Sequence, residues 1–386
     1  MTGRGRVGHG RVGRYVVTAG VMDFTIYVTV SLCALLARRW GAGPLVLGLL
    51  PVPWALVYSL TATFGGRISD RVSRTALARV GLFLVGGTCV VFSWADHVWI
   101  FFAGLPVIAF GLAFFWPALQ AAIADESGPK NLTKNLGLFN VCWSLGKGAG
   151  VLAGGVLSDL VGRQGFLLAA ATAFVLVVAL PRVARGGGAG KDLVAGDEPV
   201  PRRTREGFRW AALLANFAAF GAASTLVAHF PALNEELGRS DTEYGILVGA
   251  VFFSQTLMFG TVLLRARWHY RAGFHLGVQA LAMLGVLLVA TGWSLAVQLP
   301  FVLLVGAGFA LAYYSSIYYS LHADAARGGR AGLHESIIGS GNFLIPFAAG
   351  AAADLAGSSA VPYLVAGGVI GLSLLAQTVI LARTRV

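Results

Sequence analysis

Charged side chains are scarce in this chain of 386 residues: Asp, Glu, Lys and Arg together make up 12%, about half the share of a globular domain. A soluble fold of this length needs a charged exterior, so the shortage argues against one. Cysteine is rarer still. Cys33, Cys89 and Cys142 each sit inside an apolar run without metal-ligand spacing, which argues against a metal centre or a redox role and leaves small packing residues. Alternation of apolar and polar residues is missing too, which excludes membrane-spanning strands. Enzyme signatures are equally absent. His334-Glu335 is not followed by a second histidine at zincin spacing, and Gly146-Lys147 lacks the upstream glycine and following Ser/Thr of a phosphate-binding loop. No nucleophile elbow occurs. The chain is therefore not expected to be an enzyme, nor to carry a metal or an organic cofactor.

What is abundant is apolar sequence. Hydrophobic residues make up 56%, glycine numbers 52, and the mean hydropathy is +0.74. Continuous apolar runs recur along the chain, each long enough to cross ~30 Å of hydrocarbon. We place spans at 15–37, 44–64, 76–95, 98–119, 135–157, 165–183, 210–231, 244–264, 273–293, 299–320, 332–352 and 361–382. The first follows a basic tail (Arg4, Arg6, Arg11, Arg14), as a signal peptide would. It is too long for one and ends in Arg38-Arg39-Trp40 without a small-residue cleavage site, so it reads as an anchor.

The net charge of +12 could suggest nucleic acid, but the basic residues lie in short segments between apolar runs. Of the 29 Lys and Arg residues, 24 fall in the segments that share a side with the termini, against Arg38, Arg39, Arg163 and Arg239 on the other side. The positive-inside rule then makes both termini cytoplasmic. The expected partners are the lipid bilayer and a small-molecule substrate, with no nucleic acid, in a monomer of the plasma membrane.

Residues 184–209 contain Gly186-Gly187-Gly188, Pro199, Pro201 and Arg202-Arg203 and read as a solvated cytoplasmic linker. They divide the chain into a tail (1–14), a six-span bundle (15–183), a second six-span bundle (210–382) and a C-terminal tail (383–386). The halves repeat. At an offset of 195, Gly137, Leu138, Gly146, Gly155, Asp159, Leu160 and Gly162 fall on Gly332, Leu333, Gly341, Gly350, Asp354, Leu355 and Gly357. Duplicated bundles imply a shared site at their interface, near the bilayer midplane, about which the halves rock.

The loop Gly66-Arg67-Ile68-Ser69-Asp70-Arg71-Val72-Ser73-Arg74 follows the second span. It resembles the loop signature of the major facilitator superfamily, G-x-L-[AS]-D-R-x-G-R-[RK], departing from it at Ser73 and Thr75. The resemblance implies an all-α integral membrane fold of twelve helices in two pseudo-symmetric six-helix bundles. It also implies that Gly66, Asp70, Arg71 and Arg74 hold the cytoplasmic side closed in one state, Asp70 pairing with an arginine and a helix N-terminus. Glu335, at the start of span eleven, is expected to join that gate. A second stretch, Gly146-x-x-x-Gly150-Val151-x-x-Gly154-Gly155, is similar to the G-x-x-x-G-P-x-x-G-G of drug/proton antiporters in that superfamily, with Val151 in place of the proline. These small residues suit close helix packing.

Two ionisable residues lie deep in spans, where a charge costs at least ~2.5 kcal/mol and is a functional hypothesis by default. Asp23 stands about 13 Å past Arg14 and Lys147 about 18 Å past Asn135, at 1.5 Å per residue. At similar depth they are expected to pair and to couple proton or substrate binding to rocking, with the proton as coupling ion. Tyr27, Tyr58, Gln120, Asn140, Trp143, Asn216, Gln255, Tyr313, Tyr314 and Asn342 are the polar or aromatic candidates for the cavity. The expected function is secondary active transport of a small solute. A non-transporting receptor or scaffold, and a lipid or lysolipid transporter, are the alternatives.

Overall fold

The computed structural model describes residues 4–69, 73–180, 200–264, 268–321 and 327–384. Among them the chain is helical throughout: α1 (Arg4–Arg39), α2 (Pro44–Leu49), α3 (Pro51–Ser69), α4 (Arg74–Phe92), α5 (Val98–Val161), α6 (Phe166–Ala179), α7 (Arg202–Glu236), α8 (Asp241–Leu264), α9 (Ala272–Val289), α10 (Leu295–Leu321), α11 (Arg327–Ala356) and α12 (Val361–Ala382). Each of the twelve expected spans overlaps helix, residues 181–183 of the sixth lying outside the described residues, and eleven stretches among the described residues are long and apolar enough to cross a membrane. The tally is lower by one because the fifth and sixth spans run on as Lys134–Ala179 through a 3₁₀ turn at Gly162–Gly165. Helix runs through 120–134, which joins the fourth and fifth expected spans, and beyond the expected starts at basic segments. α1 already begins at Arg4 and α7 at Arg202, because arginine favours helix and can reach headgroups without a break.

The 64 residues of α5 would stretch about 96 Å as a straight helix, yet the side-chain contacts show two limbs. Tyr15 donates to Glu126 Oε1 (3.1 Å) and Trp40 stacks on Phe101, so the first limb runs antiparallel to α1. A Cβ added at Gly146 would stand 1.9 Å from the Gly20 carbonyl oxygen, and Arg39 reaches the Ser158 carbonyl at 2.9 Å. The second limb is therefore parallel to α1, and the chain reverses between them. Asn135 Nδ2 donates to Ser127 Oγ (2.8 Å) across the bend.

Each half holds its own apolar core, one centred on Leu32, Phe92, Phe101 and Phe115, the other on Phe230, Tyr244, Phe252 and Val305. The outside is as oily as the inside. Leu355, Val178, Leu160 and Leu257 are 92%, 82%, 74% and 74% exposed, which water would penalise and lipid does not. This is a multi-pass membrane protein.

The repeat seen in the sequence has a tertiary meaning. Gly146 lies against the α1 backbone at Gly20, and its counterpart Gly341 against α7, where a Cβ would meet the Phe217 carbonyl at 2.4 Å. Gly155 and Gly350 do the same toward the other half: a Cβ would meet the Asp241 carbonyl at 2.2 Å in the first case and the Pro44 carbonyl at 2.5 Å in the second. Gly162 and Gly357 both take positive φ (57° and 64°) where α5 and α11 end, a conformation that favours glycine.

Candidate functional site

A cavity of about 280 Å³ lies between the two halves. Its wall is mostly aromatic and aliphatic, with a few polar groups set into it: Asp23 from α1, Gln120 and Lys147 from the two limbs of α5, Ser224 from α7, and Glu335 and Asn342 from α11. Trp54, Tyr58, Trp116, Trp143 and Tyr313 supply much of the remainder. Few convergent polar groups in an apolar pocket is the usual composition of a small-molecule site.

Lys147 is 6% exposed. Its ammonium stands 4.5 Å from the ring centroid of Tyr27, 4.9 Å from Trp143, 4.9 Å from Phe252 and 5.7 Å from Phe220. Ring faces attract cations most strongly where water is excluded, as here. Among the described residues no carboxylate comes within 4.0 Å of this ammonium, so the direct Asp23–Lys147 pair expected from sequence is not made. Asp23, 7% exposed, lines the same cavity and feels the lysine through space. Equal depth along two helices does not fix the direction in which a flexible lysine bends, and four rings at hand decided it.

Of the ten cavity candidates, Tyr27, Tyr58, Gln120, Trp143, Tyr313 and Asn342 line the cavity. The other four have structural positions. Asn140 accepts from Trp143 Nε1 (2.9 Å) and so orients that ring. Gln255 accepts from Ser144 Oγ (3.3 Å), joining α8 to α5. Asn216 is buried beside His334, whose Nδ1 also meets Ser316 Oγ at 2.8 Å. Tyr314 packs on Trp268 outside the cavity. Glu335, expected at a gate, lines the cavity. Span eleven starts further from the middle than expected, at Arg327, and this carries Glu335 inward.

Asp70 and Arg71 lie outside the described residues, as does the side chain of Arg74; Gly66 is within α3. Ser73, one departure from the loop pattern, has a clear task. Its hydroxyl accepts from Ala76 N (3.4 Å) and caps α4, one of the preferred N-cap residues. Gly146, Gly150 and Gly154 face α1: a Cβ on each would meet Gly20, Phe24 and Ser31 at 1.9, 2.5 and 2.8 Å. Gly155 alone turns to the opposite half.

Sequence reasoning missed Trp54, Trp116 and Phe220 on the cavity wall and Phe252 behind Lys147. One of the tryptophans carried a signal. Trp54 sits mid-span beside Pro53, away from the headgroup belt where tryptophan collects, whereas Trp116 stands near the end of its expected span, where the belt accounts for it. The phenylalanines carried none.

At the end of the bundle opposite the termini, the halves are sealed. Arg39 bonds Asp159 (3.2 Å) and Asp241 (2.6 Å), Ser158 Oγ donates to Asp241 (2.6 Å), and Arg38 pairs with Glu235. Asp159 also accepts from the backbone N–H groups of Asp241 (3.2 Å) and Thr242 (2.8 Å), the first turn of α8. A carboxylate at a helix N-terminus is stabilised by the unbonded amides there. Its repeat partner Asp354 lies by the start of α2, where Gly43 and Pro44 leave it little to bond. Hydrogen bonds between the halves also join Tyr244 to Ser31 and Ser144 to Gln255.

Comparison with known proteins agrees with this architecture. The sequence model of the Major Facilitator Superfamily matches residues 16–332. Quinolone resistance protein NorA of Staphylococcus aureus (strain MRSA252) is 22% identical over 327 residues, 80% of this chain and 81% of that one. Multidrug resistance protein 2 of Bacillus subtilis (strain 168) is 30% identical over 132 residues, about a third of each protein (34% and 33%). Two solved structures share the fold. A bacterial homologue of the human lysosomal transporter Spinster, inward-facing and unoccupied, has a TM-score of 0.66 at 17% identity, covering 97% of this chain and 95% of that one. A mutant of the nucleoside transporter NupG has a TM-score of 0.71 at 12% identity, covering 96% and 99%.

Proposed function

The chain belongs to the major facilitator superfamily of membrane transporters, and from that premise we propose that it is a proton-coupled secondary transporter of a small organic solute, working as a monomer by alternating access. The observation that carries this reading is the central cavity: a closed far end, an aromatic wall built from both halves, and Asp23 and Lys147 on that wall. Substrate enters from the side of the termini, which the distribution of basic residues makes cytoplasmic in the cell membrane. Rocking of the halves breaks the Arg39–Asp159–Asp241 seal and opens the cavity to the other side. Asp23 carries the coupling proton. It accepts one while Lys147 is held among the rings and releases it when the ammonium swings toward it, since an adjacent cation favours the carboxylate.

The names of the two bacterial relatives speak of drug and quinolone resistance, and a mostly aromatic cavity of this kind suits amphipathic organic compounds better than a sugar or a free phosphate. Export of such compounds is the direction we favour.

The test is transport by the purified chain in proteoliposomes under an imposed pH gradient, with a panel of amphipathic organic compounds and a lysolipid. Wild type should move at least one compound at a rate that follows the gradient. Asp23→Asn should retain equilibrium exchange but lose the response to pH. Pumping by Asp23→Asn that still follows the gradient would remove Asp23 from the coupling role. Movement of the lysolipid alone would favour the lipid-transporter alternative, and no movement of any compound the scaffold.

A further inference from the structure

The four rings around Lys147 form an ammonium site that the protein fills with its own side chain. Tyr27 and Trp143 come from the first half, Phe220 and Phe252 from the second, and all four centroids lie 4.5–5.7 Å from the Lys147 nitrogen. Such a ring set recognises ammonium and quaternary ammonium ions through the negative faces of the rings. A lysine kept solely to pair with Asp23 would point at Asp23; this one is among rings, with no carboxylate within 4.0 Å among the described residues. Meanwhile Asp23 and Glu335 both line the cavity. With Asp23 holding its proton in this arrangement, Glu335 is the acid that an arriving cation meets on the wall.

We propose that the substrate is an organic ammonium ion that displaces the Lys147 ammonium from this ring cage, with Lys147 moving to Asp23 as it leaves. The inference rests on the transport reading above and names its substrate class. Its physical logic is competition. The rings stabilise one cation at a time, and the displaced lysine becomes the partner of Asp23 as that carboxyl gives up its proton. Glu335, on the α11 side of the cavity, holds the incoming charge on its way in. Because each half supplies two rings, the cage exists only while the halves are apposed as they are here. Rocking separates the rings and frees the substrate.

The experiment is calorimetric titration of the full chain in nanodiscs, without any gradient, against benzyltrimethylammonium and against neopentylbenzene, its uncharged carbon isostere. The cation should bind about tenfold more tightly than the isostere, the preference a desolvated ring cage gives. Lys147→Met and Lys147→Gln, which empty the cage, should each bind the cation about tenfold more tightly than wild type. Phe220→Leu added to either variant should cancel the gain, and Phe220→Trp should keep it. Thermal melting checks that the variants are folded. Should both lysine variants fail to fold, Phe220→Leu in the wild-type background decides, with loss of the preference for the cation over the isostere expected. Equal binding of cation and isostere overturns the proposal, and so does a folded lysine variant that binds the cation no more tightly than wild type. In the fallback, an undiminished cation preference in Phe220→Leu overturns it too. Because binding is read without transport, cation displacement in a chain that moves nothing would leave the ring site standing and refute the transport reading alone.

Discussion

Lys147 shows how a residue conspicuous in the sequence can find neighbours in the fold that its own segment does not announce. A charge in an apolar run is conspicuous, and so was Asp23; both lie on the cavity wall. What the linear sequence could not convey is that Phe220 and Phe252, from helices far away along the chain, would offer the ammonium their ring faces. Glu335 makes the complementary case. Expected at the gate from its place near the start of its span, it lines the cavity with Tyr58 and Tyr313. We expect Glu335→Gln to raise the KM for a cationic substrate by roughly threefold to tenfold, because a lost charge–charge attraction in a partly hydrated site has about that value. The folded chain should melt at nearly the same temperature, since Glu335 forms no ion pair among the described residues. Initial rates against substrate concentration, with a thermal melt alongside, check both halves of the expectation.

Helices are where the sequence was most legible. Among the described residues every expected span overlaps helix, because apolar backbone in lipid must bond itself and an α-helix does so locally. The glycine repeats were legible as well, but their partners were not. Gly146, Gly150 and Gly154 seat α5 on α1, whereas Gly155, the next residue along, seats the same helix on the start of α8. A pattern of small residues announces a close approach without saying to what. Gly146→Val should lower the melting temperature by several degrees, the ordinary consequence of forcing atoms into a filled contact, since its Cβ would lie 1.9 Å from the Gly20 carbonyl oxygen. Gly87, in α4, has nothing within 4 Å of a Cβ. Gly87→Ala should be neutral or raise stability slightly, because alanine is the better helix residue. Melting both variants side by side separates packing from propensity.

Across the whole molecule, the two halves carry the same small residues but unequal polar seals. Asp159 reaches the amides of α8 and Arg39, while Asp354 meets a helix that opens with glycine and proline. One interface is thus locked by charge and the other mainly by packing against Pro346 and His229, whose Nε2 donates to the Pro346 carbonyl at 3.0 Å. Arg39→Ala should therefore favour opening of the far end. The group is 43% exposed, so the effect is modest, about a threefold to tenfold shift in the ratio of states. Spin labels placed on the far ends of α1 and α8 should report a larger share of long distances in the variant; an unchanged distribution would mean that packing alone closes that end.

The residue order by itself determined that the chain is a helical membrane protein in two related halves, that its basic loops share one side, and that Asp23 and Lys147 are out of place in lipid. Those properties depend on local composition and on spacing along one helix, and both can be read in one dimension. Only the tertiary structure decided which aromatic rings surround the lysine, that Glu335 faces the cavity, and which end of the bundle is sealed. Each of these depends on side chains brought together from both halves, and contact between distant segments is set by how the helices pack, not by any property of the segments taken singly.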